Sequence, residues 1–187
     1  MSRVQTREWM NPAMVALLAF ALGSFAATVP AQQRDEREVR SAYVFNLIKY
    51  LDWPGDRREL CIIYAGDPGT GEVMQKMLDG KTIASQVIHV VQQPSDDQLE
   101  RCVVAYFGDA KPEEMRKGLE RLHGKSILTV GETEAFARDG GMIGLVKMND
   151  SIQIQVNLEA THQAGLRISS RVLDLAVIVR PAQNARN

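Results

Sequence analysis

The chain has 187 residues, 45% of them apolar, which is enough to close one hydrophobic core and too little for two domains of ordinary size. Its formal charge is −1; residues 1–31 carry Arg3, Arg7 and Glu8 (net +1), so the remainder stands at −2. That balance speaks against a nucleic-acid partner, because neutralising phosphates takes a clustered excess of Lys and Arg.

The first segment reads as a leader. Arg3 and Arg7 precede a mostly apolar run, Ala13–Val29, and Val29-Pro30-Ala31 then meets the polar Gln32-Gln33-Arg34-Asp35. Charge, apolar stretch and small residues in this order predict a secretory signal peptide over 1–31, cut after Ala31. An uncleaved anchor would need about 20 consecutive apolar residues, and Pro12, Gly23, Ser24 and Pro30 interrupt the run. The expected product is a periplasmic protein, not itself a membrane protein after cleavage, with one domain over 32–180 and a frayed polar tail over 181–187.

From Asp35 to Leu51, Val39, Ala42, Tyr43, Phe45, Leu47 and Tyr50 recur at helical spacing while Arg37, Arg40 and Lys49 fall on other faces. This predicts an amphipathic helix that stops near Asp52, ahead of Pro54. Four apolar runs follow: Cys61–Ala65, Val87–Val91, Cys102–Phe107 and Ser126–Val130. Their lack of polar alternation predicts strands covered on both faces. Helices are expected between them at Gly71–Leu78 and Pro112–His123.

Further on, Met142–Met148 and Ser151–Leu158 flank Asn149-Asp150, with Ile152, Ile154 and Val156 alternating with Gln153, Gln155 and Asn157. An antiparallel hairpin with a half-exposed second strand is expected there. Short helices are expected at Glu159–Ala164 and Ser170–Val177. The fold class is therefore α/β: a single-layer mixed sheet, mostly parallel with a C-terminal antiparallel hairpin, flanked by helices.

Signals for catalysis are poor. The chain lacks a Gly-x-Ser-x-Gly elbow, a His-Glu-x-x-His pair, a Cys-x-x-Cys pair and a phosphate loop ending in Gly-Lys-Ser/Thr. His89, His123 and His162 have no ligand-like spacing, so no metal and no cofactor are assigned. The Gly66-Asp67-Pro68-Gly69-Thr70-Gly71 turn follows a strand and precedes a helix, a position where backbone N–H groups can hold an anion, but an ordinary strand-to-helix turn explains it as simply. It carries the alternative reading of a periplasmic small-ligand-binding domain. Glu132, Glu134 and Asp139 lie close in sequence, yet Thr133 capping a short helix over Glu134–Arg138 is the simpler role. Gly140-Gly141 reads as a helix stop and tight turn.

Four residues are candidates for contact with a partner protein. Tyr50 and Trp53 stand at a helix end, where an aromatic is either a partner anchor or a lid on the domain's own core. Arg167 and Arg171, four apart, fit one basic face. Cys61 and Cys102 are the only cysteines. In an oxidising compartment they are expected to bridge, closing a loop of about 40 residues worth roughly 4 kcal/mol in the chain-entropy treatment; two buried free thiols are the alternative.

Taken in order, these pieces resemble the YfiR family of small periplasmic regulators. The resemblance runs from Ser41-Ala42-Tyr43-Val44-Phe45-Asn46 and Trp53-Pro54 through Leu60-Cys61-Ile62-Ile63, Cys102-Val103-Val104-Ala105-Tyr106 and Ile127-Leu128-Thr129-Val130. It continues through Phe136-Ala137, Gly140-Gly141-Met142-Ile143, Val156-Asn157-Leu158 and Gly165-Leu166-Arg167-Ile168-Ser169-Ser170 to Leu173-Asp174-Leu175-Ala176. It implies a non-catalytic inhibitor that binds the periplasmic domain of an inner-membrane diguanylate cyclase and restrains cyclic di-GMP synthesis and biofilm formation. It also implies a disulfide at Cys61 and Cys102, and allows a homodimer. A second cysteine pair found in some members near Gly140–Leu145 is absent here, which leaves the first bridge a structural role.

Overall fold

A computed structural model describes residues 35–54, 60–92 and 96–181, which belong to one compact unit. The expected leader and the tail beyond Pro181 lie outside the described residues.

Helix α1 spans Glu36–Tyr50. Asp35 caps it by accepting from the Arg37 amide at 3.0 Å, and Glu36, Glu38 and Lys49 complement the helix dipole at the two ends. Its buried stripe is Arg40, Ser41, Val44, Leu47 and Ile48. This corrects the predicted face: Arg40 points inward and Ala42 outward. The chain then forms β1 (Leu51–Asp52), β2 (Leu60–Ala65), α2 (Pro68–Leu78), β3 (Thr82–Ile83) and β4 (Gln86–Gln92). Next come α3 (Asp96–Arg101), β5 (Val104–Phe107), α4 (Pro112–Leu122) and β6 (Leu128–Gly131). The last third contains β7 (Ile143–Met148), β8 (Ser151–Val156), α5 (Leu158–Gln163), β9 (Arg167–Ile168), α6 (Ser170–Leu173) and β10 (Ala176–Ile178).

The main sheet has eight strands in the order β10-β8-β7-β6-β5-β2-β4-β3. Strands β4, β2, β5, β6 and β7 run parallel; β8 and β3 pair antiparallel to their neighbours, and β10 runs parallel to β8. The expected mixed, mostly parallel sheet with an antiparallel hairpin is what forms, with Asn149 in the left-handed region (φ 53) at the hairpin turn. Alternate residues of the apolar strands enter two separate cores. Leu60, Ile62, Tyr64, Val104 and Tyr106 join Val44, Leu47, Ile48, Met74 and Leu78 on the face covered by α1 and α2. Cys61, Ile63, Ala105 and Phe107 join Leu99, Met115 and Leu122 on the face covered by α3 and α4. In β2, β5 and β6 both faces are covered, which is what an uninterrupted apolar run provides. Strand β4 departs from that expectation, with Ile88 and Val90 buried on one face and Val87 and His89 exposed on the other, where among the described residues no helix covers it.

Three further features depart from the sequence reading. Residues 170–177 were expected as one helix, but α6 ends at Leu173 and residues 176–178 become β10 against β8. The run Ala176-Val177-Ile178-Val179 is β-branched, and Val179 N–H extends the pairing to Val156 O at 2.8 Å. With β10 beside it, β8 is not uniformly half exposed: Ile154, Gln155 and Val156 are all buried. Residues 134–140 form successive turns instead of a helix.

Those turns wrap a fully buried Phe136. A β-carbon on Gly131 or Gly141 would stand 2.2 Å from its ring, so both glycines are present for close approach. Of the two residues of the Gly140-Gly141 turn, only Gly140 (φ 107) has a positive φ.

Candidate functional site

Of the four predicted contact residues, Tyr50 and Arg171 line one groove, and Trp53 and Arg167 lie outside it. Strands β1 and β9 pair antiparallel, Leu51 with Ile168 and Asp52 with Arg167, and the Ser169 amide donates to Tyr50 O at 3.0 Å. This two-stranded ribbon brings the end of α1 against the start of α6, although more than a hundred residues separate them in the chain. Tyr50 and Arg171 line a groove of about 270 Å³ together with Tyr43, Asn46, Leu47 and Leu175. Positions 43, 46, 47 and 50 form one stripe of α1, as i, i+3, i+4 and i+7 must. Trp53 is half-buried and packs on the main core, while Arg167 is exposed on β9.

The groove leads to an apolar edge. Leu175 is 76% exposed, Val177 45% and Ile178 47%, so three of the five large exposed apolar side chains among the described residues lie within four consecutive positions. Leu175 stands in the groove wall, and Val177 and Ile178, successive on the edge strand β10, face opposite sides of it, so the apolar surface that adjoins the groove is centred on Leu175.

Cys61 and Cys102 are bridged, with Cα atoms 4.3 Å apart. The bond ties β2 to the residues leading into β5, its parallel neighbour, and the Val103 amide donates to Cys61 O at 2.9 Å beside it. Both cysteines are buried, and Cys61 borders a cleft shared with His89, Val91 and Gln98. His89, His123 and His162 sit on separate elements, and no group of side chains suited to a metal ion exists among the described residues.

The glycine-rich turn is occupied by the protein itself. Helix α2 begins at Pro68, Asp67 is its cap, and the Asp67 carboxylate accepts from the Thr70 amide at 3.1 Å. Arg37 stands 3.5 Å from the same carboxylate. The position an external anion would take therefore holds a carboxylate of the chain. Gly71 is glycine for another reason: a β-carbon there would stand 2.7 Å from the Tyr64 ring.

A polar cluster that the sequence reading did not assemble lies at the carboxyl end of the sheet. The connections β2 to β4 and β5 to β6 run to opposite sides, and the crevice at such a reversal is where α/β sheets place their special chemistry. Glu132, just past β6, accepts from the Tyr106 hydroxyl at 2.6 Å. Its other oxygen is 3.4 Å from Arg40 Nη1, and the same nitrogen is held by Glu36. Arg40 Nε–H also donates to Leu145 O at 3.3 Å, and Glu36 continues to Lys147 at 2.5 Å. Tyr64 stacks on Tyr106 with ring centres 6.0 Å apart and donates its hydroxyl to Asp67 O.

Burial pushes the Glu132 carboxyl above the ordinary glutamate range, with the Asp109 and Glu36 carboxylates adding to the effect against Tyr106 and Arg40. Glu36 moves the other way, held down chiefly by its hydrogen bond to Lys147. Burial raises both tyrosine hydroxyls, Tyr64 to about 12 and Tyr106 further. The neighbouring Glu134 and Asp139 are exposed and do not join Glu132. The only sequence signal for the cluster was the Glu36–Arg40 spacing of four, which fits an exposed helix pair equally well.

Fold and site together define a disulfide-tied α/β/α domain with a groove and apolar edge at one corner. A family model described as YfiR/HmsC-like matches residues 37–177, three quarters of the chain. The chain belongs to that family.

Proposed function

We propose that this protein is a non-catalytic periplasmic regulator that binds the periplasmic sensory domain of an inner-membrane diguanylate cyclase and inhibits it, lowering cyclic di-GMP and restraining biofilm formation. The observation that carries this reading is family membership over nearly the whole described domain. The corner built by α1, α6 and β10 supplies a surface of the right kind, with two tyrosines, an arginine and an exposed apolar edge. Inhibition needs no reacting group. It needs only tighter binding to the inactive receptor than to the active one. The small-ligand alternative loses its main support, since Asp67 fills the turn that would have received an anion.

The test is recovery of membrane proteins on the purified, oxidised protein, with a Leu175→Glu variant in parallel. A membrane cyclase retained by the wild type and lost with the variant supports the reading. If the folded wild type retains none, the reading fails.

A further inference from the structure

The main sheet ends on β10, and among the described residues no strand pairs with its outer side. The register against β8 decides which groups are left there. Val177 pairs with Gln155 and the Val179 amide donates to Val156 O, so residues 177 and 179 turn their N–H and C=O groups toward β8. Ala176 and Ile178, one step out of phase, turn theirs away from the sheet. An open edge is a template for another strand, and edges that stay single commonly carry a charge, a proline or a bulge to prevent pairing. Strand β10 is short, but its three residues are all apolar, and Val177 and Ile178 are both exposed. The charges stand just outside it: Asp174 precedes Val177 by three positions and Arg180 follows it by three, both exposed and neither in an ion pair among the described residues.

That spacing is self-complementary. In an antiparallel pair of two β10 strands with Val177 on the twofold axis, Ala176 of each copy faces Ile178 of the other. Both residues have outward-turned groups, so about four backbone hydrogen bonds form. The same axis sets the Asp174 end of each copy beside the Arg180 end of the other, so the charge contact occurs twice. Axes through Ala176 or Ile178 also align the backbone groups, but neither brings the two charges together. We propose that β10 pairs with β10 of a second copy, antiparallel about Val177, so that two eight-stranded sheets join into one. None of Ala176, Val177 and Ile178 lines the groove between α1 and α6, so the contact is separate from that groove and its test needs no cyclase. With three strand residues on each side, the association is weak and concentration-dependent.

Sedimentation velocity of the purified, oxidised protein from about 10 μM to about 1 mM should show the mass climbing from one chain toward two. Ile178→Pro removes the outward N–H and leaves the bonds of residues 177 and 179 to β8, since proline is accepted on the open side of an edge strand. This variant should stay monomeric with unchanged far-UV circular dichroism. Arg180→Asp sets two carboxylates together at each end and should weaken the dimer by about tenfold; adding Asp174→Arg should restore it. A wild type that stays monomeric over the whole series overturns the proposal. So does a dimer that Ile178→Pro or Arg180→Asp leaves intact, or one that the double charge reversal does not recover. Should Ile178→Pro not fold, the charge reversals decide alone.

Discussion

At the residue scale, the side chains that hold the crevice together are the ones whose replacement is most informative. Arg40 is 6% exposed and is bound to Glu36, Glu132 and Leu145 O. Replacing it by Met keeps the stem and strands two carboxylates, so urea unfolding at neutral pH should show a loss of about 3 kcal/mol, the usual scale for breaking a buried pair. The loss should shrink in mild acid as Glu132 takes up a proton. Glu132 and Glu36 make opposite contributions to the pH profile. With its folded pKa raised, Glu132 contributes stability that is present in acid and lost as pH rises through that pKa; with its folded pKa lowered, Glu36 contributes stability present near neutrality and lost as pH falls through its own. Glu132→Gln should therefore be more stable than wild type at neutral pH, an advantage that disappears on acidification in the same urea measurement. Trp53 belongs at this scale too. Half-buried on the core, it should cost about 2 kcal/mol on replacement by Ala, about half the usual loss for a fully buried tryptophan.

At the element scale, the disulfide and the ribbon fix how the layers meet. The bridge closes a separation of 41 residues between two neighbouring parallel strands. Reduction, or Cys61→Ala with Cys102→Ala, should cost about 4 kcal/mol by loop-closure entropy, read as a lower urea midpoint. The elements were legible where local chemistry decided them. Pro112 at a helix start and the apolar runs that form β2, β5 and β6 agree with the structure. Where partners distant in sequence decided, the reading failed. Residues 176–178 continue a helical spacing from Val172, and only the approach of β8 makes them a strand. The two-residue strands β1 and β9 have no pattern of their own and exist because they pair with each other. Arg40 read as a surface residue because nothing local announces Glu132, 92 positions away, as its neighbour. The bridge was within reach of the sequence; the meeting of Tyr50 with Arg171 and the crevice cluster were not.

At the scale of the whole molecule, the α1 and α6 corner and the sheet crevice share one helix. Leu175 is the most exposed large apolar residue described, and a charge there should leave stability within about 0.5 kcal/mol of wild type, as surface replacements do. Binding to the proposed cyclase partner should fall tenfold or more, about 1.4 kcal/mol. That pairing of outcomes separates a contact surface from a folding requirement. The most direct measurement is intracellular cyclic di-GMP in the source cell after deletion of this chain and its return as wild type or as Leu175→Glu. The account predicts a rise on deletion, reversed by the wild type and not by the variant. An unchanged level on deletion would contradict it.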